Sequence, residues 1–236
     1  MYIRWITSLF AGSLAGTLAF ADGISVYPTT VLLEPDSRVS SLTISNLGDR
    51  EATFELAGYR WSQDKNEDTL SLDKSFVVTP PVVTLAAGEE RVVRVGLLSA
   101  DDNVATESAY RLRISELSAA RDPDGGNLNV RLQILLPVFL TSAERAPDLN
   151  FQVSEDREDK LCFVAHNRGA THAKLVWVST ADNAENKVPL QKYILSNSDL
   201  RVCSDALSAP GKRYLVGVTS AYQNDIMPYE ISITEP

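Results

Sequence analysis

The sequence predicts an all-β protein built as two similar sandwiches, on three observations. Short segments of alternating or continuous apolar residues follow one another, separated by turn-forming clusters. No segment sustains a helical apolar period over three turns. One pattern also occurs twice: Leu42-Thr-Ile-Ser-Asn46-Leu-Gly48 with Ala52 and Phe54 is echoed by Phe163-Val-Ala-His-Asn167-Arg-Gly169 with Ala173 and Leu175.

Taken in order, the chain opens with Met1-Tyr-Ile-Arg4, an uncharged run from Trp5 to Phe20, and Ala19-Phe20-Ala21 before Asp22. This predicts a secretory signal peptide over residues 1–21, because the run is too short and too early for a stable membrane span. A retained N-terminal anchor is the alternative. Strands are predicted at 24–26, 31–33, 40–44, 53–60, 76–78, 91–97, 110–117 and 128–140. Glu34-Pro-Asp-Ser37, Asn46-Leu-Gly-Asp49, the Pro80-Pro81 break, Gly88 and Asp122-Pro-Asp-Gly-Gly126 supply the turns. The repeated Asn-x-Gly pattern reads as a strand, a tight turn in which Gly supplies an unusual φ, and the returning strand of a hairpin-like unit. Its double use predicts two related sandwiches, with chance likeness between such turns as the competing explanation.

The two domains are expected at 22–142 and 147–236, joined by Thr141-Ser-Ala-Glu-Arg-Ala-Pro-Asp148. So short a linker predicts a fixed angle and a cleft between them. The formal charge of −9 falls to −10 when Arg4 leaves with the leader. That argues against nonspecific nucleic-acid or anionic-membrane binding, which need clustered Lys and Arg. The two cysteines, Cys162 and Cys203, form an even count suited to an exported protein and predict one disulfide in the second domain. Two separate buried thiols are the alternative.

Little in the chain suggests catalysis. The only histidines, His166 and His172, flank the Asn167-Arg-Gly169 turn. They could face each other as half of a metal site, but no further soft ligands accompany them, so exposed turn histidines are expected. No nucleophile elbow, zinc-protease helix or phosphate-cradling loop is present. The expectation is no enzyme, no metal and no cofactor.

The unusual segment is 128–140, where Leu128, Val130, Leu132, Ile134 and Leu136 fall on one face and Asn129, Arg131 and Gln133 on the other. Pro137 removes a backbone donor and favours an edge or a bulge. A long apolar edge is a hazard that proteins normally blunt, and one left available lends itself to strand addition by a partner. Alternation alone equally allows this row to pack into its own domain's core.

With these residues in view, the chain resembles the periplasmic chaperones of the chaperone-usher pilus pathway. The resemblance covers most of the mature chain and rests on Leu42-Thr-Ile-Ser-Asn46, Trp61, Thr79-Pro-Pro81, Leu85, Gly88, Arg94-Val95, Glu107-Ser108 and the 128–140 strand. It implies two immunoglobulin-like domains set in an L or boomerang, in the periplasm of a Gram-negative cell. The last strand of domain one would insert Leu128, Val130, Leu132 and Ile134, with Leu136 following, into an incomplete pilin (fimbrial) subunit. An outer-membrane usher would then take the subunit, without ATP. The resemblance also admits a homodimer of the free protein.

Many relatives hold the subunit's terminal carboxylate with an Arg and a Lys, whose places here fall by register on Thr30 and Pro137. The carboxylate anchor is therefore expected among Arg94, Arg91, Arg111 and Arg131. Arg94 is preferred, with a structural pairing to Glu107 explaining it equally well. Glu107 in relatives joins an interdomain ion network, for which Arg145 and Asp225 are the expected partners. The missing pair and Leu136-Pro-Val-Phe-Leu140 look more like the archaic branch associated with Csu-type pili and spore-coat-U-like subunits. The competing readings are an exported two-domain structural or adhesion module that self-associates through this strand, and an exported enzyme using His166 or His172.

Overall fold

The computed structural model describes residues 23–64, 67–98, 106–117, 131–141, 145–157, 160–204 and 213–231. The expected leader and the Asp122–Gly126 turn, with Leu128 and Val130, lie outside them. The described residues form seventeen strands and contain no helix, hence none long and apolar enough to cross a membrane.

The first sandwich contains β1 (Ile24–Tyr27), β2 (Val31–Leu33), β3 (Val39–Asn46), β4 (Ala52–Asp64), β5 (Glu67–Leu72), β6 (Phe76–Thr79), β7 (Val82–Leu85), β8 (Glu90–Leu97), β9 (Ser108–Leu117) and β10 (Gln133–Leu140). One sheet runs β1-β3-β8-β6; the other runs β2-β10-β9-β4-β5, with β7 pairing β4. The second sandwich contains β11 (Leu149–Arg157), β12 (Lys160–Asn167), β13 (Ala173–Thr180), β14 (Asn183–Ile194), β15 (Ser198–Ser204), β16 (Tyr214–Ser220) and β17 (Gln223–Ile231). Its sheets run β11-β12-β15 and β14-β13-β16-β17.

Alternation explains the first core. Leu42 and Ile44 of β3 and Val93 and Val95 of β8 face Phe54 and Leu56 of β4 and Leu112 and Ile114 of β9, all buried. Each such side chain contributes roughly 1.5–3 kcal/mol on burial. Phe151, Phe163, Leu175 and Val216 do the same work in the second core. Strand β5 is not among the predicted strands: its residues are all exposed, and only Leu70 and Leu72 alternate in it.

The Asn-x-Gly repeat proves to be one device used twice, though not a hairpin. β3 and β4 belong to different sheets, as do β12 and β13, so each copy is an arch that crosses the sandwich. In the first, buried Asn46 donates Nδ2 to the carbonyls of Arg50 (2.7 Å) and Leu85 (3.1 Å) and accepts from Gly48 N (3.0 Å). In the second, buried Asn167 donates Nδ2 to Thr171 O (2.8 Å) and Leu195 O (3.0 Å) and accepts from Gly169 N (3.0 Å). Each amide substitutes for the ladder bonds a chain loses on leaving one sheet for the other.

Gly169 serves this arch through space rather than through φ. A Cβ there would lie 2.2 Å from Asp148 N and 2.6 Å from Ala146 O, because the linker runs directly against the arch. Ala170 N donates to Ala146 O (3.1 Å) and Arg168 N to Asp148 O (2.8 Å), so the linker is tied down. Gly88 is the position where φ decides, at 73°. Cys162 and Cys203 form a disulfide between directly opposed residues of β12 and β15, within one sheet.

Candidate functional site

β10 is paired along its whole length on one side and along less than half on the other. Gln133 to Leu140 all pair with β9, whereas only Val138, Phe139 and Leu140 pair with β2. Glu116 N donates to Leu132 O, so backbone groups of even residues turn toward β9 and those of odd residues toward the far side. The groups of Gln133 and Leu135 thus face an edge that no described strand covers. Pro137 sits where β2 begins and has no N–H to waste there.

The even row changes character along the strand. Val138, Leu140 and Leu136 (3% exposed) are buried in the domain's own core, which leaves Leu136 nothing to donate. This burial argues against its expected inclusion in the donated row, although the edge itself stays uncovered by β2 until Val138. Ile134 is half-buried at the rim of that core, and Leu132 stands 38% exposed beyond it. On the opposite face Leu135 is 39% exposed, an apolar residue the sequence reading passed over because it breaks the alternation.

Three of the four candidate anchor residues are split between the two sheets of the first sandwich, and the fourth lies outside both. Arg91 and Arg94 lie on β8, exposed on the sheet that excludes β10, and Arg91 pairs with Glu89 at 2.6 Å. Arg94 makes no pair with Glu107. Arg131 is exposed two residues before β10. Arg111 sits on β9 directly opposite Pro137, the expected place of the family's lysine. Thr30, the other expected place, immediately precedes β2, whose Val31 pairs with Val138.

Arg111 is held in an unusual environment. Its guanidinium lies 3.6 Å from the centre of the Trp61 ring and 5.4 Å from that of Tyr193, and Nη1 donates to Leu135 O at 3.2 Å. Burial pulls its pKa below the ordinary arginine value, while Asp68 and Tyr193 act in the opposite direction. An arginine nonetheless keeps its charge. Among the described residues no carboxylate pairs with it within ion-pair distance, so a partly desolvated cation stands beside the open edge. It lines a cavity of about 360 Å³ between the sandwiches.

The cleft is fixed by contacts that join the domains. Trp61, Ala109, Phe139 and Leu195 form a small buried cluster with Tyr193 against it. Gln63 donates to Tyr193 O (2.9 Å) and accepts from Leu195 N (2.8 Å). Glu107 accepts from His172 N (3.0 Å) and from Nδ1 (2.8 Å), with both side chains almost fully buried. The partner of Glu107 is therefore His172, not Arg145 or Asp225. His172 is also no exposed turn residue: its ring stacks on Phe139 of β10 at 3.5 Å and 12°. His166 instead bonds Asp199 at 2.8 Å, so the two histidines share no site. Proximity in sequence to the arch carried no signal for a partner 65 residues away.

The comparisons agree with this architecture. Residues 23–143, more than half of the chain, match the family model described as pili and flagellar-assembly chaperone, PapD N-terminal domain. The structure resembles that of the CsuC-CsuE chaperone-tip adhesion subunit pre-assembly complex from archaic chaperone-usher Csu pili of Acinetobacter baumannii, at 19% identity and TM-score 0.68. That match covers 90% of this chain and 100% of the other. It also resembles the Salmonella enterica SafA pilin in complex with the SafB chaperone, at 14% identity and TM-score 0.65, covering 89% and 96%. The Pseudomonas aeruginosa CupB2 chaperone matches at 13% identity and TM-score 0.60, covering 88% and 99%. No curated protein matches by sequence. With an open-edged final strand in its first sandwich and a family match over that whole sandwich, this chain belongs to the pili and flagellar-assembly chaperones and is not an enzyme.

Proposed function

We propose that this protein binds pilus subunits in the periplasm by lending them the 128–134 segment as a strand, and passes them to an outer-membrane usher. The observation that carries the reading is the half-covered β10, paired with β9 throughout but with β2 only from Val138 onward. A strand added to that edge gains main-chain hydrogen bonds to Gln133 and Leu135, while Leu128, Val130, Leu132 and Ile134 supply alternating side chains to an incomplete sandwich. Arg111 is the favoured carboxylate anchor, because it alone of the four arginines combines burial, contact with β10 and a place in the cleft. A terminus held at Arg111 would make the added strand run parallel to β10. Arg131 would meet the other end of the added strand.

The test is co-expression of the full chain with a subunit encoded beside it, followed by capture of the complex from a periplasmic extract. Val130→Glu and Leu132→Glu should abolish the complex while leaving the circular dichroism spectrum unchanged, because Leu132 is exposed. Normal capture by either variant would remove the donor assignment. Concentration-dependent assembly with no subunit present would favour a self-associating structural module instead.

A further inference from the structure

We propose that the second sandwich supplies a docking wall for the bound subunit: a flat apolar strip centred on Trp177, with Lys187 over it, fitted to an apolar patch of the subunit that carries acidic groups at its border. The inference rests on the reading of β10 as the strand lent to that subunit. Leu175 and Val178 of β13 both face the second core, and strict alternation would turn Trp177 the way Leu175 points. A bulge prevents this. Leu175 pairs with Val218 but Trp177 with Gly217, so Val176 is an extra residue and Trp177 is turned to the outer face of the sheet.

The indole is pressed flat on the neighbouring strand. A Cβ at Gly217 would lie 2.2 Å from Trp177 Cε2 and 2.4 Å from Nε1, so only glycine lets the ring rest there. Pro189 stands opposite Trp177 on β14 and Pro228 opposite Gly217 on β17, both exposed, which makes one row across the whole sheet. Ile226, two residues before Pro228 on the same face, is 44% exposed. Lys187 Nζ lies 4.7 Å from the centre of the indole, and among the described residues no carboxylate pairs with it. In a chain of net charge −9, a cation left without a carboxylate on an apolar strip is complementary to an acidic partner.

The strip continues the cleft on the side of the open edge. Lys174 and Tyr193 pair on the same outer face, and Tyr193 packs against Trp61 and Phe139 of the first domain, with ring centres 5.8 and 6.0 Å apart. His172, immediately before β13, stacks on Phe139 of β10, while the turn after β16 brings Tyr222 OH within 3.4 Å of Glu34 Oε1, just past β2. β16 and β17 therefore follow β13 on the side where β10 meets β2, which is the side of the uncovered edge. A subunit seated on Gln133 and Leu135 has the Trp177 strip as its facing wall. Main-chain bonds to an added strand form with almost any sequence, whereas this wall selects among subunits by the patch they present.

The experiment uses the full mature chain labelled with 5-fluorotryptophan, free and as the complex captured with the subunit encoded beside it, with the Trp177 fluorine resonance assigned through Trp177→Phe. In the wild-type complex that resonance should shift and lose most of its relaxation by a soluble paramagnetic agent. Trp177→Ala, and Gly217→Ala, which pushes the indole off the sheet while keeping it in the chain, should each speed release of the subunit roughly tenfold, the scale of an aromatic interface contact. Lys187→Glu should speed it about fivefold at low salt and much less at about 0.5 M salt. If the complex forms and the Trp177 resonance keeps its position and solvent contact, the wall is wrong while the strand-lending reading stands. If capture survives Leu132→Glu, that reading fails and this one with it. Protection of Trp177 that rises with protein concentration in the absence of subunit would assign the strip to a second copy of the chain and overturn the proposal. Unchanged release from Lys187→Glu would overturn the acidic character given to the partner.

Discussion

Replacing Glu107 with alanine should uncouple the two domains. In the folded chain its carboxylate accepts the backbone N–H of His172 at 3.0 Å and the imidazole Nδ1–H at 2.8 Å, with the side chains of Glu107 and His172 only 1% and 4% exposed. A hydrogen bond to a charged group contributes about 1.5–3 kcal/mol, and removing one partner of a buried pair leaves the other stranded. The expected loss is therefore about 3–5 kcal/mol. It should fall on the interface rather than on either core, because Glu107 belongs to neither apolar cluster. Glu107→Gln, which keeps one acceptor oxygen, should lose roughly half as much. Urea unfolding of wild type and both variants would measure the loss. Hydrogen exchange at Ser108–Tyr110 and at Ala173 would locate it, and solution scattering would report a wider range of interdomain angles. An alanine variant within about 1 kcal/mol of wild type, with unchanged exchange at those amides, would refute the reasoning. The pair would then be one of the buried ionic contacts that add little net stability.

Two further predictions concern the second domain. Reduction of Cys162–Cys203, or their joint replacement by alanine, should destabilise that domain by about 4 kcal/mol on the chain-entropy estimate for a separation of 41 residues; denaturant midpoints with and without reductant measure it, and an unchanged midpoint contradicts it. Asp199 is desolvated somewhat, which opposes charging, but bonds from His166 and Arg168 outweigh this and hold its pKa below the ordinary aspartate value. Because the folded pKa is depressed, its contribution is present above the unfolded pKa and lost as pH falls through the folded one. At this exposed site the contribution stays within about 1 kcal/mol. Asp199→Asn should therefore flatten the acid limb of a stability-pH curve slightly, and an identical limb would contradict the assignment.

Much of the fold was open to inspection in the chain itself. The alternation in 40–44, 91–97 and 110–117 located β3, β8 and β9 because a strand half-buried in a sandwich must repeat every two residues. The Asn46 and Asn167 echo identified two equivalent units, since a buried amide bracing an arch constrains its neighbours at fixed spacing. The even count of cysteines matched the single disulfide. The candidate site was less open. Leu132 and Ile134 stood in the row that was singled out, yet alternation assigned Leu136 to the same row, although β2 covers the strand just beyond Pro137 and the domain's own core claims that side chain.

What the sequence determined by itself was local: strand period, turn positions, the repeated Asn-x-Gly unit and the family; that the unit is an arch between sheets came from the tertiary structure. What the tertiary structure decided was pairing. Arg94 and Arg111 are equally placed strand arginines as text, but β8 and β9 belong to different sheets, so only Arg111 reaches the open edge and the cleft. His172 reads as a turn residue until the second domain packs against Glu107 and Phe139. The physical reason is that periodicity reports which face of a strand is apolar, whereas the identity of its neighbours depends on contacts between segments far apart in the chain.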